Sequence, residues 1–503
     1  MDAERTKLLF EKAFHFERNA PTAHTSWRNP RLLGRQTMAL NIDALHEYVQ
    51  EGGADYAAVH GKAYSPLPPL PDSNRWKGKL PEFRSCLDLF KGRDPFKACK
   101  HAFEHLGGRL IYVELADNRV RRFVPFANPD WHNDWPHIPE EVVADYVTRR
   151  SLMLGRREAV CNYQEWWSTG HLLCNVRSPE VMSDKACAPL LDMFDTVCKS
   201  RRVPNASFLI NVRDCAAWRK DGQRPCPLPW RPFGTARAEA VEGALPTFSF
   251  YTGPGFWDVP CPTATDWLFA TQNRSLGRDP LPPPPLDVPF RQKHARAIWR
   301  GSLTGPGSEP ESNDRVKLLM QPPSQFLDVA ATGANADRDR VDAVSGRLTG
   351  SASHYVPSQR SNYVPWDKQA LNRYAIVLDG HGAPDRFHPA LASNQVVLRP
   401  HWTRSLVMSP CTLMDCVAQP NEHYVPLYDV SDAEQVVERL EQDVPRAEKI
   451  AQAARDLWQE RLSVDGILDF WQMALHALPV TAREARIPPK PAVRLRNIRL
   501  LRR

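Results

Sequence analysis

Residues 373–398 read RYAIVLDGHGAPDRFHPALASNQVVL. The apolar run from Tyr374 to Leu378 is too short for a globular helix and is closed by Asp379 and Gly380, so it reads as a buried strand. DGHGAP is a turn, Asp385 to Ser393 a short helix, and Gln395 to Leu398 a second strand. Strand, loop, helix and strand in that order form the unit from which parallel sheets are built. The fold class that follows is α/β. In open sheets of this kind ligands bind at the carboxyl ends of the strands, where loops carry the polar groups. The turn from Asp379 to Arg386 is therefore the first candidate site.

Working outward, the same pattern recurs. RAIWR, at 296–300, reads as a strand followed by a Gly/Ser/Thr loop and a helix from about Asp314 to Leu319. Residues 333–361 are polar and weakly patterned, which predicts a long loop. Apolar Val436, Val437 and Leu440, then Ile450, Ala453, Ala454 and Leu457, recur at helical spacing, so 432–477 is helical. On the amino-terminal side RLIYVEL (109–115) and ASFLINV (206–212) read as strands, with a helical pattern over 179–200 between them. DPLPPPPLDVP, at 279–289, is a semi-rigid polyproline stretch that continues neither helix nor sheet. It divides the chain into an extension at 1–102, an amino-terminal α/β domain at 103–278, a linker at 279–294, a carboxyl-terminal α/β domain at 295–480 and a tail at 481–503.

Three strands end in groups able to do chemistry. Gly380 and Gly382 let backbone N–H groups approach an anion, and Arg386 can close on it bidentately. The competing reading is a plain turn with a surface arginine, and Asp385 stands where a third glycine would complete a dinucleotide fingerprint. The loop RGSLTGPG, at 300–307, offers Arg300, hydroxyls and backbone amides to a diphosphate, but lacks the lysine of a P-loop; it is equally readable as a solvated loop before a capped helix. FLINV ends in Arg213 and Asp214, either a general base held in a dry site or a structural ion pair. Asp258, beside Trp257, is a further carboxylate, more simply read as a cap before a proline turn. His132 and His137 sit in an aromatic-rich loop without metal spacing. Trp166 and Trp167 read as core.

Composition narrows the classes further. With 42% hydrophobic and 24% charged residues the chain is an ordinary globular one, neither fibrous nor disordered. The net charge of +7 suggests a polyanion partner until it is located. Residues 481–503 carry eight Arg or Lys against Glu484 alone, so 1–480 sum to zero. Nucleic acid is thus not an expected partner of the body. The tail is either a loosely docked end or a tether to an anionic membrane surface. The charged amino-terminus lacks an apolar signal core, no run is long enough to span a bilayer, and the chain ends Leu-Leu-Arg-Arg, which together predict a cytoplasmic protein. Eleven cysteines cannot all pair and read as reduced thiols; Cys411, Cys416 and His423 fit zinc spacing poorly.

Five collinear segments resemble the CAP10-like glycosyltransferases, glycosyltransferase family 90, which includes protein O-glucosyltransferases and capsule xylosyltransferases. They are ASFLINVRDC, FSFYTG…WDVPCPTATDW, AIWRGSLTGPG…NDRVKLL, the opening stretch RYAIVLDGHGAPDRF…VVL, and EHYVPL. The resemblance spans residues 166–478. It implies a GT-B architecture of two Rossmann-like domains facing across a cleft, and inverting transfer of glucose or xylose from a UDP-sugar to a protein or glycan hydroxyl. It implies no cofactor beyond that co-substrate and no obligatory metal. By position, Asp214 is the implied base, and Arg300 and Arg386 the groups that neutralise the departing diphosphate. Gly301, Ser302, Thr304, Gly382 and Ala383 line the UDP site, and Asp379 touches the donor or fixes its loop. Arg213, Trp257 and Asp258 fall on the acceptor side. The sequence departs from the family at Cys215, at Asp385 and over 405–421. The rival class is a degenerate nucleotide-sugar or polyanion-binding protein that uses the basic tail; a nicotinamide oxidoreductase lacks the glycine fingerprint.

Overall fold

The computed structural model describes residues 75–94, 110–126, 164–168, 171–176, 182–212, 216–218, 220, 243–272, 288–305, 307–332, 339–341, 348–351, 355, 363–380, 382–401 and 411–485. Most of the expected extension, the polyproline part of the linker up to residue 287 and most of the basic tail lie outside these residues, as do His132 and His137 and the side chains of Trp166 and Trp167.

The first unit begins with α1 (Leu80–Leu87), then β1 (Leu110–Ala116) and β2 (Arg119–Phe126). Asp117 and Asn118, both at positive φ, make the two-residue turn between these strands, a conformation that short polar side chains tolerate. A separate hairpin, β3 (Gln164–Ser168) and β4 (His171–Val176), precedes α2 (Met182–Ser200), β5 (Ala206–Asn211), β6 (Thr247–Ser249), β7 (Val259–Pro260) and α3 (Ala264–Thr271). The main sheet runs β2-β1-β5-β6-β7. Strands β5, β6 and β7 are parallel, but β1 lies antiparallel to both its neighbours. The unit is therefore a mixed sheet, its hairpin edge added to a short parallel core. Helix α3 starts on a capping box in which Asp266 Nα–H donates to Thr263 Oγ1 while the Asp266 carboxylate accepts from Thr263.

The second unit follows with β8 (His294–Gly301), α4 (Asp314–Leu319), β9 (Leu327–Ala331), the hairpin β10 (Asp339–Val341) and β11 (Leu348–Ser351), α5 (Trp366–Gln369), β12 (Asn372–Ile376), α6 (Phe387–Ala392), β13 (Val396–Pro400) and β14 (Val425–Leu427). Its sheet, β14-β13-β12-β8-β9, is parallel throughout. The expected long loop thus contains a small antiparallel hairpin, held by main-chain pairing that leaves little trace in side-chain pattern. Along β12 and β13 the side chains alternate. Tyr374, Ile376, Val396 and Leu398 pack in the core of this unit, while Ala375, Val377 and Val397 join the core that continues into the first.

The helical stretch resolves into α7 (Ala433–Glu441), α8 (Val444–Leu462), α9 (Val464–His476) and α10 (Val480–Glu484). Asp443 and Ser463 break it, each capping the helix that follows. Helix α9 returns to the first unit, where Trp471 packs against Phe194 (ring centroids 4.7 Å apart) and Phe248 (5.0 Å). The expected span 295–480 therefore contributes a core helix to the unit before the linker. The packing reason is the size of the indole: fully buried, it fills the space over the short strands β5 and β6. Among the described residues no helix is long and apolar enough to cross a membrane.

Candidate active site at the strand ends of the second sheet

Strands β8 and β12 are neighbours, so their carboxyl ends bring residues 300–304 and 378–380 side by side. One side chain laces them together. Arg315, in the first turn of α4, donates from Nε to the Asp379 carbonyl (2.8 Å) and from Nη2 to the Leu378 carbonyl (2.9 Å). From Nη1 it donates to the Ser302 carbonyl (2.7 Å) and to Thr304 Oγ1 (2.6 Å). A planar guanidinium with five donors in a fixed fork suits four convergent acceptors. Gly380 is required by the same packing: a Cβ there would lie 2.7 Å from Thr304 Oγ1 and 2.9 Å from Arg315 Nη2. Asn313 anchors the start of α4, accepting from Arg315 Nα–H and donating to the Gly307 carbonyl, against Gly305 at positive φ. Arg315 was not among the candidates; the adjacent Asn-Asp-Arg signal reads locally as a helix start.

The predicted residues separate into two groups. Gly301, Ser302, Thr304, Asp379, Gly382, Ala383 and Arg386 belong to this loop cluster. A Cβ on Gly301 would lie 3.3 Å from Arg386 Nη2 and 3.0 Å from the Trp299 ring, so the Arg386 guanidinium crosses the bare end of β8. It also faces the Trp366 ring at 5.8 Å. The Arg386 carbonyl accepts from Ala390 Nα–H (3.1 Å), and Asp385 and Tyr363 are the groups whose charge acts on its guanidinium. Burial holds its pKa down to about 10, with Tyr363 and Asp385 pulling the other way, so it is a cation at neutral pH. Gly380 Nα–H is used by the Gly382 carbonyl (2.9 Å), which closes the turn.

Arg300 corrects an expectation. Its side chain turns to Asp328 on β9, pairing with that carboxylate and donating to the Asp328 carbonyl (2.7 Å). Successive strand residues face opposite ways, and Arg300 spends its charge on a neighbouring strand instead of the loop cluster. Asp258 is likewise structural. Buried beneath β6 and β7, it accepts from Ala217 Nα–H and Trp218 Nα–H (both 2.8 Å) and from Ser249 Oγ (2.5 Å). Burial raises its carboxyl, against those three donors. It clamps the segment that follows Arg213 and Asp214, which themselves lie outside the described residues. Trp257, half-buried, carries Lys220 Nζ 4.7 Å above its ring.

Asp379 brings a carboxylate to the cluster. Arg399, almost fully buried on β13, reaches its Oδ1 at 3.2 Å and Asp415 Oδ1 at 2.8 Å. Burial pushes the Asp379 carboxyl up to about 6, with Arg399 lowering it. Among the described residues no three His, Cys, Asp or Glu side chains are disposed to hold a metal ion.

Residues 186–479, more than half the chain, match the model of Glycosyl transferase family 90. Uncharacterized protein 027R of Frog virus 3 is 29% identical over 416 residues, 76% of this chain and 42% of the relative. Protein O-glucosyltransferase 1 of Homo sapiens is 22% identical over 287 residues, 54% of this chain and 62% of that protein. The chain spans roughly two fifths of the length of the viral relatives it matches. Among solved structures, Anabaena Alr3699/HepE in complex with UDP-glucose aligns over 48% of this chain and 57% of that one, at 12% identity and a TM-score of 0.25.

Proposed function

The chain belongs to glycosyl transferase family 90, and from that premise we propose that it moves glucose or xylose from a UDP-sugar to a hydroxyl of a protein or glycan acceptor. The observation that carries the reading is Arg386: a partly buried cation, neighboured by Asp385, that lies across the side-chain-free end of β8 at Gly301. A desolvated guanidinium held there is built for an anion that arrives with the substrate. In this reading the UDP diphosphate lies over Gly301, Ser302 and the Gly382–Ala383 backbone. Arg386 takes up the negative charge that develops as the sugar–phosphate bond breaks. Arg315 does not touch the substrate; it fixes both loop ends before the diphosphate arrives.

Asp214, which follows β5 (Ala206–Asn211) in the sequence, is the proposed base. It takes the proton of the acceptor hydroxyl as that oxygen attacks the anomeric carbon from the face opposite the diphosphate, so the anomeric configuration inverts. Asp258 supports the assignment indirectly, since its clamp on Ala217 and Trp218 immobilises the chain just beyond Asp214. Asp379 serves to fix the donor loop, and we propose a reaction that needs no resident metal, in the cytoplasm.

Calorimetry with UDP tests the reading. Losing one charge-assisted contact of about 1.5–3 kcal/mol predicts that Arg386→Ala weakens UDP binding by roughly ten- to a hundredfold. Arg300→Ala, which breaks only the Asp328 pair, is expected to lose far less. Equal UDP affinity in wild type and Arg386→Ala would remove Arg386 from the site.

A further inference from the structure

The two units meet along a seam of buried polar groups that the reaction as described does not use. Helix α3, of the first unit, presents Asp266; helix α6, of the second, presents His388. His388 Nδ1 pairs with Asp266 Oδ1, and both side chains are almost fully buried. On its far side His388 Nε2 lies 3.0 Å from Thr412 Oγ1. Thr412 donates its hydroxyl to Asp415 Oδ2 (2.8 Å), which also accepts Thr412 Nα–H (2.7 Å). Asp415 Oδ1 meets Arg399, and Arg399 meets Asp379 at the edge of the donor site. The result is a buried ladder of alternating charge, Asp266, His388, Asp415, Arg399, Asp379, that runs from one unit to the loop cluster of the other. Tyr251 pairs with Asp385, and Thr252 with Cys411 through the backbone, along the same seam.

The hydrogen-bond inventory sets which ring nitrogen of the histidine must donate. Thr412 has one hydroxyl proton and gives it to Asp415, so towards His388 it offers only a lone pair and Nε2 must donate. The second Asp266 oxygen accepts from Thr263 Nα–H (2.7 Å) and Thr263 Oγ1 (2.8 Å), so a single proton is shared between Asp266 Oδ1 and His388 Nδ1. With that proton on Nδ1 both ring nitrogens donate and the ring is an imidazolium, the form we assign to it. The charged groups that face it agree: Asp266 from α3, Asp415 from the segment after Cys411 and Asp385 from the turn before α6 raise its pKa, against burial, which lowers it. Helix α8, which also packs on α6, turns an apolar face inward through Ala447, Ile450, Ala451 and Ala454.

We propose that His388 is a positioning residue for sugar transfer: as an imidazolium it joins Asp266 of the acceptor-side unit to the Thr412–Asp415–Arg399 ladder that ends on Asp379, and so holds base and donor in register. The proposal rests on the donor and base assignments above. A transfer whose two partners sit on different units depends on the relative placement of those units, where an error of about 1 Å costs on the order of a hundredfold in rate. Neutralising a charge in mid-ladder also strands Asp266 and Asp415 in a buried site.

The test compares wild type, His388→Asn and the double variant His388→Asn/Asp266→Asn, reading UDP release from UDP-sugars and thermal melting between about pH 6 and pH 9. His388→Asn keeps one donor facing Asp266 but loses the charge and the second donor. Its kcat is expected to fall at least about tenfold with donor KM nearly constant, and its pH profile to lack the alkaline loss expected of wild type. The double variant, with a neutral amide pair, is expected to recover part of that loss. The imidazolium's stabilisation is complete below the unfolded pKa of about 6.5 and is lost as pH rises through the higher folded value, so the melting gap between wild type and His388→Asn should narrow towards pH 9. An unchanged kcat in His388→Asn, or an alkaline limb identical to wild type, overturns the positioning role. A melting gap that stays constant with pH overturns the imidazolium. Wild type that turns over no UDP-sugar refutes the functional reading, and the positioning role with it, while the melting series still decides the charge state.

Discussion

Replacing Arg315 by Met tests whether the site is assembled before any ligand arrives. The guanidinium makes four hydrogen bonds of 2.6–2.9 Å to groups on two different strand ends. Three of the acceptors are backbone carbonyls at loop positions, and methionine offers none of them a donor. Taking about 1 kcal/mol for each bond lost predicts a destabilisation of about 4 kcal/mol. Arg315→Lys, with a single ammonium able to meet one or two of these acceptors, should lose roughly half as much. Urea unfolding of the full-length variants measures both values. Calorimetry should show in addition that UDP affinity falls in Arg315→Met, although Arg315 is proposed to touch no part of the ligand, because the loop ends it joins are no longer fixed. A loss below about 1 kcal/mol, with UDP affinity unchanged, would mean that the loops hold their shape without Arg315 and that the reasoning is wrong.

Asp379 carries a pH prediction. Its folded pKa is raised to about 6, above the unfolded value, so the folded state binds the proton more tightly and the charge is tolerated at a cost above that pH. Stability of wild type relative to Asp379→Asn should therefore improve as pH falls through about 6 towards the unfolded value of about 3.9, read from paired denaturation midpoints; a change in the other direction contradicts the assignment. Asp258→Asn leaves one of Ala217 Nα–H and Trp218 Nα–H without its acceptor, a loss of about 1–3 kcal/mol, and should lower kcat far more than it raises donor KM. Equal effects on kcat and KM would argue that the clamp does not bear on the base.

The parts of this molecule that were legible in its sequence are those with a local signature. Short apolar runs closed by charged or turn-forming residues marked β5, β8, β12 and β13, and helical spacing marked α2 and α7 to α9. The strand ends singled out did bring Gly301, Thr304, Asp379 and Arg386 into one cluster. What escaped was set by contacts between distant residues. Arg300 sits at a strand end like a ligand-binding arginine, yet Asp328, on another strand, neutralises it. Arg399 ends a strand pattern where a charge suggests an exposed edge, but it is 1% exposed because two carboxylates meet it there. Arg315 and His388 lie in short helices whose sequences show only propensity, while their most distant partners are 64 and 122 residues away. Strands β6 and β7, three and two residues long, are too short to carry a period.

The account turns on a base in one unit serving a leaving group bound in the other, and UDP release with UDP binding tests it most directly. A general base contributes about 10²- to 10⁴-fold, so Asp214→Asn should release UDP from UDP-glucose or UDP-xylose at least about a hundredfold more slowly than wild type. Its affinity for UDP in calorimetry should match that of wild type, since the proposed base acts on the acceptor hydroxyl and not on UDP. Full turnover by Asp214→Asn, or wild type that binds UDP and hydrolyses or transfers from no UDP-sugar, would contradict the account.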